Sequence, residues 1–504
     1  MRRHSCAWPL RSQRFADALA RFDQAQKLFD VSNEVEGIAE VLYQRGMLFS
    51  QQGKIAEAQA QLEQALTRSV ALENQDQRVK VLLQLSNTAV VAAGDASKAE
   101  QYSRQAMELA QANGMENLTT AGLIDLGTAY LTKGNFAEAD KYFNQALRLA
   151  QLYKGNFNEA RAYLSLASLR KQQEDPDAAR DFAQRALPFY QQGSYGKQVS
   201  IAYTIIGYAY EEVGDYQSAQ QAFEQELQAA QQIGDLRSIA LSHEGLGIVF
   251  MHTQRFPDAL SHFNEVHDTA SKISAKLIAG YAANYRASVL WQLGRTGDAL
   301  TAFGEALQIA QPPGHDSYKE LLAEATVGEA GLALSERKFQ DAITGAQKVL
   351  AIAGSEYKSI SVRASYTICL AQARSGQASA GRAHCESAVK LAHGMRDPLP
   401  LSEALLALAE ASLAAGDAQA ALATATEAQQ RFANAKQHES EWRALLLAAQ
   451  AGDKTGDKMR AHLLASQAST VLAALEQDWG SENYKTYLSR DDVQEYRRQL
   501  AALG

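Results

Sequence analysis

Leu123-Ile-Asp-Leu-Gly127-Thr-Ala-Tyr130, followed by Gly134, Phe136, Ala139, Phe143 and Ala146, is the stretch that decides the fold. Offsets of four and seven from Ala139 place Phe143 and Ala146 on one face of a helix. Gly127, twelve residues before Ala139, is a small residue on the preceding helix. Small residues let two helix backbones approach closely, and a bulky one fills the groove between neighbouring units. Gly134, between the two helices, ends the first in a left-handed conformation that costs glycine nothing. The local reading is therefore helix, tight turn, helix.

The same phrase recurs along the chain. Its anchor alanine, or glycine once, falls at 18, 58, 99, 139, 179, 219, 259, 299, 342, 381, 421 and 461. The intervals are 40 or 41 residues, except for one of 43 and one of 39. Twelve residues upstream runs a ladder of small residues: Gly46, Gly127, Ala167, Gly207, Gly247, Ala287, Ala330, Cys369, Ala409 and Ala449, broken only by Asn87. Four residues downstream runs a second ladder that includes Leu62, Phe143, Phe223, Phe263, Phe303 and Cys385. Turn glycines stand five before the anchor at Gly53, Gly94, Gly134, Gly214, Gly294, Gly376, Gly416 and Gly456. Asp95, Asp215, Asp417 and Asp457 follow four of them, placed to cap the second helix of their unit. Periodicity of this kind is the mark of a repeat array.

Small residue, glycine turn, alanine, aromatic and alanine at these offsets resemble the tetratricopeptide repeat. The period of 40 is longer than that family's usual one of about 34, and the proline that closes its second helix is missing. The resemblance is to the long-helix subclass found in bacterial regulators, and covers roughly residues 15 to 475. It implies an all-α fold: a right-handed α-solenoid of about twelve helix-turn-helix units, each touching chiefly its neighbours, with C-terminal capping helices. It is specific for fold and nearly silent on function.

The array is expected to divide into four parts. Residues 1–14, with Trp8-Pro9 and an arginine cluster, read as irregular or truncated, because the first repeat has a second helix from Phe15 to Phe29 and no evident first one. Residues 15–311 form a first segment. Gln311-Pro-Pro-Gly-His-Asp-Ser-Tyr318 accounts for the 43-residue interval and opens a second segment, 312–475, the loop being either a plain lengthening or a hinge. Residues 476–504, with Trp479, Tyr484, Tyr487, Val493, Tyr496 and Leu500, read as helices capping the last apolar face.

Composition narrows the function. Charged residues at 21% beside 46% hydrophobic ones exclude wholesale disorder, and a net charge of −8 argues against binding nucleic acid directly. No run of about 18 apolar residues is present, so no membrane span is expected. Cys6, Cys369 and Cys385 are few, odd in number and far apart, which reads as reduced thiols and a cytoplasmic location; Cys369 and Cys385 read as small apolar residues in their ladders.

Chemistry is not evident. Gly452-Asp-Lys-Thr-Gly456-Asp-Lys458 fails the spacing of a phosphate loop and coincides with a repeat turn. His243-Glu244 lacks the second histidine of a zinc-protease helix, since Gly247 stands there. His243, His252, His262 and His267 offer no i, i+4 pair. No catalytic, metal or cofactor site is expected. Binding is expected on the inward face of the first helices, at Thr204, Tyr208, Glu211, Glu244, Ile248, Met251, Tyr281, Asn284 and Trp291, unless tight curling packs those side chains against one another. Neither Lys nor Arg stands three before the small ladder, which argues against a carboxylate clamp. The expected function is a non-enzymatic scaffold holding a peptide or partner protein. The alternative is the sensor region of a larger bacterial signalling protein, a Ser/Thr kinase or transcriptional regulator, whose effector domain precedes Met1. An exposed first repeat offers a surface for self-association.

Overall fold

A computed structural model describes residues 7–93, 95–313, 317–354 and 356–503, without side chains for 7–14, 51 and 91–93. Gly94 of the turn ladder, Cys6 and part of the Pro-Pro-Gly loop lie outside what is described. Among the described residues there are twenty-five helices and no strand.

The chain packs as two compact units, residues 1–209 with 232–234, and residues 210–231 with 235–504. The first holds α1 (Ala7–Ser32), α2 (Val35–Gln51), α3 (Ile55–Ala71), α4 (Gln75–Ala93) and α5 (Ala96–Ala112). It continues with α6 (Glu116–Thr132), α7 (Phe136–Leu152), α8 (Asn156–Gln172), α9 (Pro176–Gln192) and most of α10 (Gly196–Glu212). The second holds α11 (Tyr216–Ile233) up to Gln231, α12 (Leu236–His252), α13 (Phe256–Lys272), α14 (Lys276–Gln292) and α15 (Thr296–Ala310). After the Pro-Pro-Gly loop come α16 (Lys319–Ser335), α17 (Phe339–Ala353), α18 (Lys358–Arg374), α19 (Ala378–Ala392) and α20 (Leu399–Ala414). The chain ends with α21 (Ala418–Asn434), α22 (His438–Lys454), α23 (Lys458–Trp479), α24 (Ser481–Leu488) and α25 (Asp491–Ala501).

Even-numbered helices from α2 to α22 are the first helices of their repeats, and the next odd-numbered helix is the second. Within each unit, helices pack chiefly on the next in sequence, as in an α-solenoid. The ladders explain how. A Cβ on Gly127 would lie 2.5 Å from the Phe143 ring, one on Gly247 2.5 Å from Phe263, and one on Gly46 2.6 Å from Leu62. In each pair the two residues are sixteen apart, and Phe143, Phe263 and Leu62 are wholly buried. Missing side chains on the first helix thus create the slot that the bulky residue of the second fills.

The turns follow the expected chemistry. Gly53, Gly134, Gly214, Gly294, Gly376, Gly416 and Gly456 all have positive φ. Asp95, Asp215, Asp417 and Asp457 each accept a hydrogen bond from the backbone N–H three residues on, at 3.0 to 3.1 Å.

Three expectations need correction. Helix α1 begins at Ala7, so most of the segment read as irregular is helical. Helices can start without a recognised cap, and Pro9 in the first turn is tolerated because its missing N–H has no partner there. Packing divides the chain near residues 209–235 and not at 312–318. The Tyr318 N–H donates to the Ala310 carbonyl at 2.9 Å, and α15 and α16 pack together across the loop. Finally, Cys369 and Cys385 are joined in a disulfide, with Cα atoms 5.4 Å apart. They occupy the same sixteen-residue pairing as Gly127 and Phe143, a close approach of the two helices that falls within disulfide reach. The argument from cysteines to a reducing compartment is thereby removed.

Gly294 does more than turn. A Cβ on Gly294 would lie 2.4 Å from the Thr486 carbonyl oxygen, whereas one on Gly376 meets nothing within 4 Å. Both share positive φ, which costs a non-glycine residue about 1 kcal/mol. Gly294→Ala is therefore expected to lower stability by about 2 kcal/mol more than Gly376→Ala, because overpacking adds to the φ cost. Equal losses in urea denaturation would remove Thr486 from that turn.

Candidate peptide-binding groove

First helices carry the groove-facing positions, and each unit presents its own. In the first unit, Thr204 and Tyr208 are half-buried on α10. Thr204 Oγ1 donates to the Ser200 carbonyl at 3.0 Å, and the Lys171 ammonium of α8 lies 4.2 Å from the centre of the Tyr208 ring. A cation over an aromatic face is attracted by the ring quadrupole.

In the second unit the remaining seven expected residues do not form an open surface. Asn284 is buried, at 2% exposure. Trp291 donates from Nε1 to Ser335 Oγ at 3.0 Å, and the Arg490 guanidinium lies 5.7 Å from its ring. Tyr281 donates to Glu320 Oε2 at 3.1 Å, while Ile248, Met251 and Glu244 are half-buried. Glu211 Oε1 lies 3.3 Å from His252 Nδ1.

Successive first helices are linked across this inner face. Arg363 of α18 donates to Glu324 of α16 at 2.6 Å, and Tyr366 donates to Glu403 of α20 at 3.0 Å. Burial raises the Asp397 and Glu403 carboxyls above their usual range, against the opposing pull of His252 and Arg363. Burial alone would lower His252, but Glu211, Asp397 and Glu403 outweigh it and the imidazole is raised. The side chains are not sealed from water. His252, Glu211, Glu324 and Arg363 keep 17, 19, 20 and 29% of their side-chain surface exposed.

Helices of this unit pack chiefly on their sequence neighbours, and a few hydrogen bonds additionally join turns far apart in the chain. The Gln254 side chain, on the turn after α12, is a hub for distant chain. Its Oε1 accepts from the N–H groups of Glu439 at 2.8 Å and Ser440 at 3.3 Å, and its Nε2 donates to Ser440 Oγ at 2.7 Å. Gln437 Nε2 donates to the His252 carbonyl at 2.6 Å, and Trp479 Nε1 donates to the Gln254 carbonyl at 2.7 Å. Arg490 Nη1 donates to the Gln292 carbonyl at 3.1 Å.

The C-terminal helices also enter the inner face. The Tyr496 hydroxyl donates to Glu410 Oε2 at 3.0 Å and accepts from Arg374 at 2.5 Å and Arg443 at 3.3 Å. Trp442 Nε1 donates to the Tyr487 oxygen at 3.0 Å, whose hydroxyl donates to Glu439 at 3.1 Å. Trp442 and Tyr487 have no exposed surface. Helices α24 and α25 therefore cap α22 and α23, as expected, and additionally tie back to the turns after α12 and α14.

The histidines include one direct pair. His243 and His262 place their Nδ1 atoms 2.8 Å apart, so one neutral ring donates and the other accepts. Burial lowers His243, and burial with the neighbouring His243 lowers His262 to about 4. The folded state then binds fewer protons than the unfolded state below the ordinary histidine pKa of about 6.5. Stability is expected to fall as pH drops from about 6.5 towards about 4. In His262→Leu the gap between melting midpoints near pH 7 and near pH 4.5 should shrink; an unchanged gap would show that this pair does not set the acid response. Among the described residues no three metal-ligating side chains converge, and no helix is long and apolar enough to cross a membrane.

Helix pairs of fixed period, keyed by small-residue slots, define a repeat solenoid. Residues 116–192, 198–272 and 236–311 match the tetratricopeptide repeat, and residues 39–69 match it separately. Over those stretches the chain carries tetratricopeptide repeats, helix-pair units of the protein-interaction kind. Among curated proteins none matches it in sequence. The apo form of RapI is similar in structure at a TM-score of 0.51 and 14% identity, over 75% of this chain and 99% of that one. Aspartyl phosphate phosphatase F from Bacillus subtilis is similar at 0.50 and 12%, over 72% and 95%. At such identities the likeness is one of fold.

Proposed function

We propose that the chain is a non-enzymatic scaffold that holds an extended or helical peptide segment of a partner protein against its first helices. The observation that carries this reading is that each unit has half-buried aromatic or carboxylate side chains on its own first helices: Tyr208 on α10 in the first unit and, separately, Glu244 on α12 and Tyr281 on α14 in the second. Such faces supply anchors for apolar side chains and acceptors for peptide donors. Trp291 belongs to this face, but its contacts to Ser335 and Arg490 give it a structural duty as well.

A peptide array probed with the whole chain tests the reading. Tyr208→Ala and Tyr281→Ala are each expected to weaken capture about tenfold, the loss of one aromatic anchor. If both variants capture the same peptides as the parent with equal strength, the groove assignment is wrong.

A further inference from the structure

The start of the first unit holds a cavity of about 280 Å³, where α2 begins, α3 ends and α4 begins. Glu36, Ala39 and Glu40 of α2 line it, with Ser69 and Leu72 at the end of α3 and Gln77 of α4. Glu36 and Glu40 are exposed and four residues apart, which puts both carboxylates on one face of α2. Ala39 is 1% exposed and Leu72 is half-buried, so part of the wall is apolar.

The polar groups of this wall are not all satisfied. Ser69 Oγ donates to the Leu66 carbonyl at 2.8 Å, and Glu40 Oε1 accepts from Gln44 Nε2 at 2.7 Å. The Gln77 backbone N–H donates to Asn74 Oδ1 at 3.0 Å. The Gln77 side chain differs: the residue is 9% exposed, and its buried Nε2 donates to no acceptor among the described residues. A buried donor without an acceptor costs free energy that an incoming acceptor recovers.

We propose that this cavity binds an α-ammonium group together with the carbonyl next to it, the pattern shared by an amino-acid amide and the first residue of a peptide. The ammonium has donors and no acceptor, which suits the Glu36 and Glu40 carboxylates. The carbonyl oxygen accepts from Gln77 Nε2, and a small apolar side chain lies against Ala39 and Leu72. The volume falls just under the range of about 300–1,000 Å³ typical of drug-sized ligands, so it suits one residue and not a longer segment. A free amino acid is disfavoured, because its carboxylate would come beside two others. The site stands apart from the groove reading, whose first-unit residues Thr204 and Tyr208 are on α10.

The test is calorimetric titration of the whole chain with alaninamide, alanine, N-acetylalaninamide and alanyl-glycyl-glycinamide. Alaninamide and the tripeptide amide are expected to bind at least about tenfold more tightly than the other two. Equal affinity of that pair supports the site with a free amide as sufficient ligand; tighter binding of the tripeptide supports it with a peptide terminus as ligand. Glu36→Gln combined with Glu40→Gln, both exposed, should weaken alaninamide about tenfold with an unchanged melting midpoint. Gln77→Met keeps the length of the side chain and removes its donor. It should also weaken alaninamide about tenfold, while the unliganded chain melts no lower, since that donor has no bond to lose. Alanine or N-acetylalaninamide binding as tightly as alaninamide would overturn the assignment. So would binding indifferent to these variants, or no binding by any of the probes.

Discussion

Removing residues 479–504 is expected to destabilise the whole second unit, and not merely its last repeat. Trp479, Tyr487, Val493, Tyr496 and Leu500 are all buried, each contributing about 1.5–3 kcal/mol by burial alone. Their loss exposes Trp442 and leaves Glu439, at 4% exposure, without the Tyr487 hydroxyl. Unpaired buried polar groups add about 1–3 kcal/mol each. The expected total exceeds about 5 kcal/mol, even after discounting for a compact unfolded state. The discriminating readout is hydrogen exchange in the turns at 252–254 and 292–294, which lie far from the deletion in sequence but bond to it. Faster exchange there follows from the ties that Trp479 and Arg490 make. Fraying confined to α22 and α23 would mean that the C-terminal helices only cap.

Phe143→Ala is expected to cost about 3–5 kcal/mol, the range for a buried aromatic truncated to a cavity. The ring is wholly buried and fills the slot over Gly127, so no neighbouring side chain can follow it inward without moving a helix. Because the repeats of the first unit pack chiefly on neighbours, the effect should be local. Amide protection should fall in α6 and α7 more than in α2 and α3. A loss below about 1 kcal/mol would mean that the two helices slide to close the cavity, and that the small-residue ladder does not set their distance.

The fold was legible because its determinants are local and repeated. Gly134, Ala139 and Phe143 act within one helix pair, and the same offsets recur through Gly214, Ala219 and Phe223. The disulfide is legible in the same spacing. Cys369 and Cys385 stand sixteen apart, the separation that brings Gly247 against Phe263, so the ladders alone put the two sulfurs together. The closure of the second unit was not legible. Gln254 stands at the turn position where most repeats carry glycine, and its partners lie 185 or more residues away. Nothing periodic relates it to Glu439 or Trp479. The candidate groove fell between these cases: helical spacing put Tyr281, Asn284 and Trp291 on one face, but not what else would reach that face. Asn284 proved buried and Trp291 lies under Arg490, a residue of the tail read only as a cap.

The central claim is that the second unit is tied shut by contacts between repeats far apart in sequence. Amide exchange at Glu439 and Ser440 tests it most directly. These N–H groups open α22, where helical amides have no partner within the helix. Bonded to Gln254 Oε1, they should exchange slowly in the parent chain and at the rate of unprotected amides in Gln254→Ala. Rapid exchange at both amides in the parent chain would contradict the account.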